Sequence, residues 1–246
     1  MKRISSVKAI AVTMAVVMTA IMSTACISVS ETGATTSGTL ATTSEVDNRE
    51  TTEEATTTAK KVSQSEFDIK EYKHENSIGD TYYFLVVKNN STQAVGIGVN
   101  LVAYDKDNNT IGAGDAGIDV LGPGEESICY CYLDGVKGVD HVEYDMSFDE
   151  SPSYDPVIGK LEVVKNVNKK NVVVTVTNKG DKPAQYVEAY ALFLSKDGKV
   201  VGFSSNYVTD NDSEIKPGAK LSAQLDVYKG FSTVEVYFRG RGEFNF

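Results

Sequence analysis

YYFLVVKNNSTQAVGIGVNLVAYDKDNNTIG, residues 82–112, lines up with NVVVTVTNKGDKPAQYVEAYALFLSKDGKVVG, residues 171–202, with one residue of difference in length. Each stretch reads as an alternating apolar strand, a polar turn (Asn89 to Gln93; Asn178 to Lys182), a longer strand and a tight charged hairpin. The match continues downstream, where LGPGEE (121–126) answers IKPGAK (215–220) and VDHVEYDM (139–146) answers FSTVEVYF (231–238). One unit is therefore written twice, and a repeat at this period fixes the architecture before any single motif does. SPSYDP (151–156) lies between the copies and reads as a hinge. From residue 66 onward short alternating runs are separated by turn residues, without a helical stripe. Six or seven short antiparallel strands per copy suffice to cover the two inner faces of a β-sandwich. The fold class expected is all-β, with two tandem antiparallel β-sandwiches at 66–150 and 157–246.

The hairpin at 103–112, AYDKDNNTIG, invites a different reading, because Asp105, Asp107 and Asn109 alternate like the first ligands of a calcium loop. An EF-hand loop needs Gly at its sixth position and a bidentate Glu at its twelfth. Those positions hold Thr110 and Ala116, and copy two offers Ser195, Asp197 and Lys199 at the equivalent places. A turn that needs residues tolerant of unusual backbone angles accounts for the composition. GAGDAG (112–117) matches a dinucleotide-binding glycine pattern, yet no helix start follows it to receive a pyrophosphate.

The segment before residue 66 is of another kind. MKRISSVK is a basic leader start, and AIAVTMAVVMTAIM (9–22) is apolar but well short of the ~20 residues a spanning helix needs. This pattern predicts export, with residues 1–25 as a signal peptide. STAC (23–26) resembles the lipobox of bacterial lipoproteins, with Ser23 where that family usually has Leu. The resemblance implies diacylation of Cys26 and attachment to the extracytoplasmic face of a bacterial cell membrane. Ser23 and Ala25 also fit ordinary signal peptidase, which would release a soluble protein. Residues 26–65 are dominated by Thr, Ser, Ala and Glu, cannot bury enough apolar surface to offset chain entropy, and are expected to form a disordered tether.

LVAYDKDNNTIG with LGPGE, and AYALFLSKDGKVVG with IKPGA, are similar to the extracytoplasmic FxLYD module. Leu101 stands for the leading Phe in copy one, and Leu194-Ser195 replaces Tyr-Asp in copy two. The resemblance implies an immunoglobulin-like sandwich on a bacterial surface protein and carries no catalytic set. The chain has 24 basic and 34 acidic residues, a formal charge of -10, and loss of Lys2, Arg3 and Lys8 with the leader takes it to -13. Such a surface repels phosphate backbones, which excludes nucleic acid as a partner.

Few residues invite chemistry. Cys129 and Cys131 align with Ala223 and Leu225, inward positions, and read as buried structural thiols; a soft-metal or solute site is the alternative and requires His74 or His141 on the same face. These are the only two histidines in the chain, and neither lies in a nucleophile motif, so an envelope hydrolase ranks last. Nothing calls for a cofactor. Tyr82, Phe84, Tyr130 and Tyr132 form an aromatic stripe facing away from the inward set Tyr83, Leu85 and Val87, where copy two has Asn171, Val173, Gln224 and Asp226. An apolar stripe of this kind marks a contact, and its partner is the second sandwich, the strand at 66–75, or an envelope protein or glycan. The expected function is that of a lipid-anchored, non-catalytic binding or scaffolding module of the cell envelope.

Overall fold

The computed structural model describes residues 61–209 and 213–245, all within one compact unit. The expected signal peptide, Cys26 and the expected tether as far as residue 60 lie outside the described residues. Sandwich one comprises β1 (Phe67–Glu75), β2 (Thr81–Asn89), β3 (Val95–Tyr104), β4 (Thr110–Leu121), β5 (Glu126–Leu133) and β6 (His141–Asp149). Sandwich two comprises β7 (Leu161–Val167), β8 (Asn171–Asn178), β9 (Ala184–Leu194), β10 (Val200–Tyr207), the short β11 (Glu214–Ile215), β12 (Lys220–Asp226) and β13 (Thr233–Arg241).

The two copies have the same connectivity. In sandwich one the sheets are β1-β2-β5 and β4-β3-β6; in sandwich two they are β7-β8-β12 and β10-β9-β13, with β11 added beside β9. All pairs are antiparallel. First, second and fifth strands on one sheet against third, fourth and sixth on the other is the crossing pattern of an immunoglobulin-like sandwich. Alternation sets the inner faces. Tyr83, Leu85, Val87, Cys129, Cys131 and Leu133 meet Ile97, Val99 and Leu101 in one core, and Val172, Val174, Val176, Ala223 and Leu225 meet Val187, Ala189 and Phe193 in the other. No helix among the described residues is long and apolar enough to cross a membrane.

A buried asparagine ties each sandwich together at the same place. Asn89 Nδ2 donates to the carbonyls of Gln93 and Leu121 at 2.9 Å each, and its Oδ1 accepts from the Ser91 amide. Asn178 repeats the arrangement with Lys182, Ile215 and the Gly180 amide. One side chain thus joins the end of the second strand to the chain on the opposite sheet, satisfying backbone groups that burial would otherwise orphan. The hairpins also correspond. Asn108 at φ 66° and Gly198 at φ 75° occupy the left-handed position that closes each turn. Asp105 Oδ1 accepts from the amides of Asp107 and Asn109, so the carboxylate closes the turn. Asn109 also hydrogen-bonds it, holding the carboxyl below the usual range. Gly112–Gly117 runs within β4; a Cβ at Gly117 would lie 2.9 Å from the Ile97 carbonyl oxygen, so close strand packing accounts for this glycine.

Two expectations are corrected. The first sandwich begins before residue 66: Val62 is buried in its core, its amide donates to Glu150 Oε1 at 2.8 Å, and Ser63 and Glu66 form a capping box. A single apolar residue at the end of the Thr-rich segment is enough to dock it. The 151–156 segment is a strap, not a hinge. Tyr154 bridges to Phe244, Asp155 exchanges backbone hydrogen bonds with Gly242 and Glu243, and Lys182 pairs with Asp155 at 3.1 Å. Asn89→Ala strands the Leu121 carbonyl and the Ser91 amide, since Ser91 Oγ still serves the Gln93 carbonyl, and Asn178→Ala strands the Lys182 and Ile215 carbonyls, at about 1–3 kcal/mol apiece. Each variant should therefore lose roughly 2–6 kcal/mol in urea unfolding, and a loss under about 1 kcal/mol would show the ties to be dispensable.

Candidate functional site

The outward aromatic stripe of sandwich one meets sheet β10-β9-β13 of sandwich two. Phe84, Val86 and Ile128 join Tyr190, Leu192, Leu194, Val200 and Tyr237 in a third apolar cluster, with Tyr72, Tyr82, Tyr130 and Phe203 packed against it. Phe203 is the knob of this seam, its ring centroid 4.9, 5.3 and 5.7 Å from those of Phe84, Tyr130 and Tyr82. Tilted rings at such separations satisfy the aromatic quadrupole as well as burying area. Phe84 is 0% exposed although it faces away from its own core, whereas Tyr132 at the rim remains 47% exposed. The second sandwich thus occupies most of the stripe formed by Tyr82, Phe84, Tyr130 and Tyr132.

Polar bonds cross the seam around this apolar centre. The Tyr72 hydroxyl donates to Glu235 Oε2 at 2.8 Å, Ser127 Oγ donates to the Phe238 carbonyl at 2.7 Å, and Arg241 Nη1 pairs with Asp119 at 2.7 Å. His74 Nδ1 lies 3.1 Å from the Val200 carbonyl, and burial holds the imidazole below its ordinary pKa, with Lys229 adding to the effect. The other histidine, His141, stacks at 5.0 Å on Tyr104 on the exposed face of β6. Cys129 and Cys131 point into the core of sandwich one as free thiols, pushed up by burial to about 12 and about 11. Neither histidine shares their face, so the condition for a Cys-His metal site is not met. Among the described residues no group of three His, Cys, Asp or Glu side chains is placed to hold a metal ion.

Where the seam runs out, it is flanked by two clefts. At one end a cleft of about 200 Å³ is lined by Ile118 and Asp119 of sandwich one and by Tyr186, Glu188, Tyr207, Arg239, Gly240 and Arg241 of sandwich two. Arg239 lies opposite Glu188 in the β13–β9 register, and its Nη1 donates to the Tyr190 hydroxyl at 3.4 Å. Burial opposes its charge, but Tyr190, then Cys129 and Glu188, outweigh it and hold the guanidinium above its ordinary pKa. Arg241 is stacked between rings, 4.1 Å from the centroid of Tyr154 and 4.7 Å from that of Tyr186, and its Nε is buried with no hydrogen-bond partner. Toward the other end a cleft of about 440 Å³ lies between His74, Asn76 and Ser77 and the residues 201–204 and 226–229, with Tyr228 fully exposed on its lip.

Sequence reasoning located the stripe but missed Phe203, Tyr190, Arg239 and Arg241. A signal for Phe203 was present: the residue after the aligned Gly112 and Gly202 is Ala113 in copy one and Phe203 in copy two. Tyr186 explains the one-residue difference in length. Between the equivalent buried pairs Val95/Ile97 and Ala184/Val187, copy two holds one residue more, and Tyr186 there adopts φ 49°.

Fold and seam together define a tandem immunoglobulin-like β-sandwich protein whose two copies pack face to face. No protein-family model matches the chain, and no curated protein matches it. Among solved structures, 73% of the chain is similar to 29% of red sea bream transglutaminase, at 11% identity and a TM-score of 0.23. A beta-glucuronidase from glycoside hydrolase family 2 is similar over 65% of this chain and 20% of its own, at 15% identity and a TM-score of 0.16. The chain spans less than a third of either structure, and neither likeness bears on activity. Phe84→Ala empties a filled seam, and truncation of a buried Phe costs about 3–5 kcal/mol. Chemical denaturation should show a loss of that size; a change under about 1 kcal/mol would mean that the seam contributes little to stability.

Proposed function

We propose that this chain is an exported lipoprotein, anchored through Cys26 to the extracytoplasmic face of a bacterial cell membrane, that presents two FxLYD-type sandwiches as one non-catalytic binding or scaffolding body. The observation that carries this reading is the seam. It joins the sandwiches through Phe84, Phe203 and Leu192 and leaves polar clefts at its ends, an arrangement suited to holding a ligand at a fixed geometry. The side chains with the most nucleophilic potential support the non-catalytic half. The two thiols are buried in their protonated form, and the histidines are spent on the seam and on an exposed stack. The basic start, the apolar 9–22 run and STAC support the anchoring half. The Thr-rich stretch that follows would act as a spacer between lipid and body.

In the producing cell the wild-type chain should incorporate labelled palmitate and sediment with membranes. Cys26→Ser should abolish both while leaving the unfolding of the sandwiches unchanged. Label that persists in Cys26→Ser would contradict lipidation at this residue.

A further inference from the structure

The cleft at the end of the seam that holds Arg239 and Arg241 has the features of a built site. Tyr186 is an ordinary L-residue held at φ 49°, a conformation that persists only where the surroundings over-determine it and that concentrates at functional positions. Here its amide donates to the Ser213 carbonyl at 2.8 Å and Arg241 lies against its ring. The bulge that creates this conformation is the insertion that copy one lacks, so the sandwich fold does not require it. Arg241 Nε is buried without a hydrogen-bond partner, and the guanidinium is positioned by its stacking on Tyr154 and Tyr186 and its pairing with Asp119. Arg239 presents a planar fork of donors, of which the bond to Tyr190 is long.

Size and charge narrow the ligand. A cleft of about 200 Å³ is below the ~300–1,000 Å³ of pockets for drug-sized molecules, so it takes one small ring or the terminal ring of a chain. Its lining balances two guanidinium groups, Arg239 and Arg241, against two carboxylates, Asp119 and Glu188. A strongly charged ligand gains little from a balanced field. A ligand whose neighbouring groups each donate and accept can use both signs at once. Tyr207, 56% exposed, and Tyr186, 47% exposed, add ring faces at the rim for an apolar surface. Vicinal hydroxyls on a ring with an apolar C–H face combine these properties. We infer that this cleft binds a single pyranose residue of a saccharide, its hydroxyls on Arg239, Glu188 and Asp119 and its ring face on Tyr207 or Tyr186.

This inference names a ligand class for the binding body proposed above but does not depend on the anchor, and its test leaves Cys26 untouched. Saturation-transfer NMR on the full chain in detergent micelles, with methyl β-glycosides of D-glucose, D-galactose and N-acetyl-D-glucosamine at millimolar concentration, provides that test. Transfer to at least one glycoside is expected. Its affinity should fall about tenfold or more in Tyr207→Ala and in Arg239→Gln, and stay unchanged in Tyr228→Ala, which alters the other cleft. Circular dichroism confirms that the variants are folded; Tyr207, exposed on the surface, can be truncated without loss of core. Absence of transfer to all three glycosides would overturn the inference. So would binding lost in Tyr228→Ala and kept in Tyr207→Ala.

Discussion

Phe203 set among Tyr82, Phe84 and Tyr130 is the contact on which the arrangement of this protein depends. A β-sandwich has two outer faces, and an immunoglobulin-like unit standing alone keeps both polar. Sandwich one instead carries aromatic side chains on the outer face of β1-β2-β5, and burying such a ring is worth about 1.5–3 kcal/mol relative to leaving it in water. Sandwich two inverts the pattern. Its β7-β8-β12 face pairs Val173 with Gln224 and Asn171 with Asp226, at the positions where sandwich one pairs Phe84 with Tyr130 and Tyr82 with Tyr132. Its other sheet is aromatic or larger where sandwich one is polar or small: Tyr190 and Tyr237 stand at the places of Asn100 and Asp145, and Leu192 and Phe203 at those of Val102 and Ala113. Each copy has thus changed the face that the other needs.

This reciprocity explains why two copies suffice. The contact is head to tail, since it joins unlike faces of like units, and such contacts propagate when the end faces remain complementary. Here one end presents Asp145 and Asn100 and the other Gln224 and Thr175, with Val164 exposed beside Thr175, so neither end repeats the aromatic surface that the seam uses. The strap at 151–156, held to the C-terminal residues by Tyr154 and Asp155, keeps the connection short and supports Arg241 from beneath. The clefts follow from the same geometry, because they open where the packing of the two sandwiches runs out.

Much of the fold was legible in the sequence, because it rests on local rules. Period-two alternation gave the inward set from Tyr83 to Leu133, and aligned turns gave the shared hairpin and the equivalence of Cys129 with Ala223. The stripe at Tyr82, Phe84, Tyr130 and Tyr132 was legible as a contact face. What covers it was not, since the covering residues only gain meaning as a set once β9, β10 and β13 are placed side by side. The candidate cleft was still less accessible. Arg239 and Arg241 are separated from Asp119 by more than a hundred residues, and the bulge at Tyr186 was visible only as a one-residue mismatch. SPSYDP misled for a related reason: its prolines suggested a free hinge, and the partners that pin it lie at the far end of the chain.

The central claim is that the seam makes two sandwiches one cooperative body, and the thiols offer a direct probe of it. Cys129 and Cys131 lie in sandwich one alone, so their alkylation across a urea series reports its opening. Amide exchange at Val172, Val174 and Val176 reports the opening of sandwich two. The midpoints of the two signals should coincide in the wild-type chain and separate when the seam is broken by Phe203→Asp. Distinct midpoints in the wild type, with one sandwich open while the other stays protected, would contradict the account.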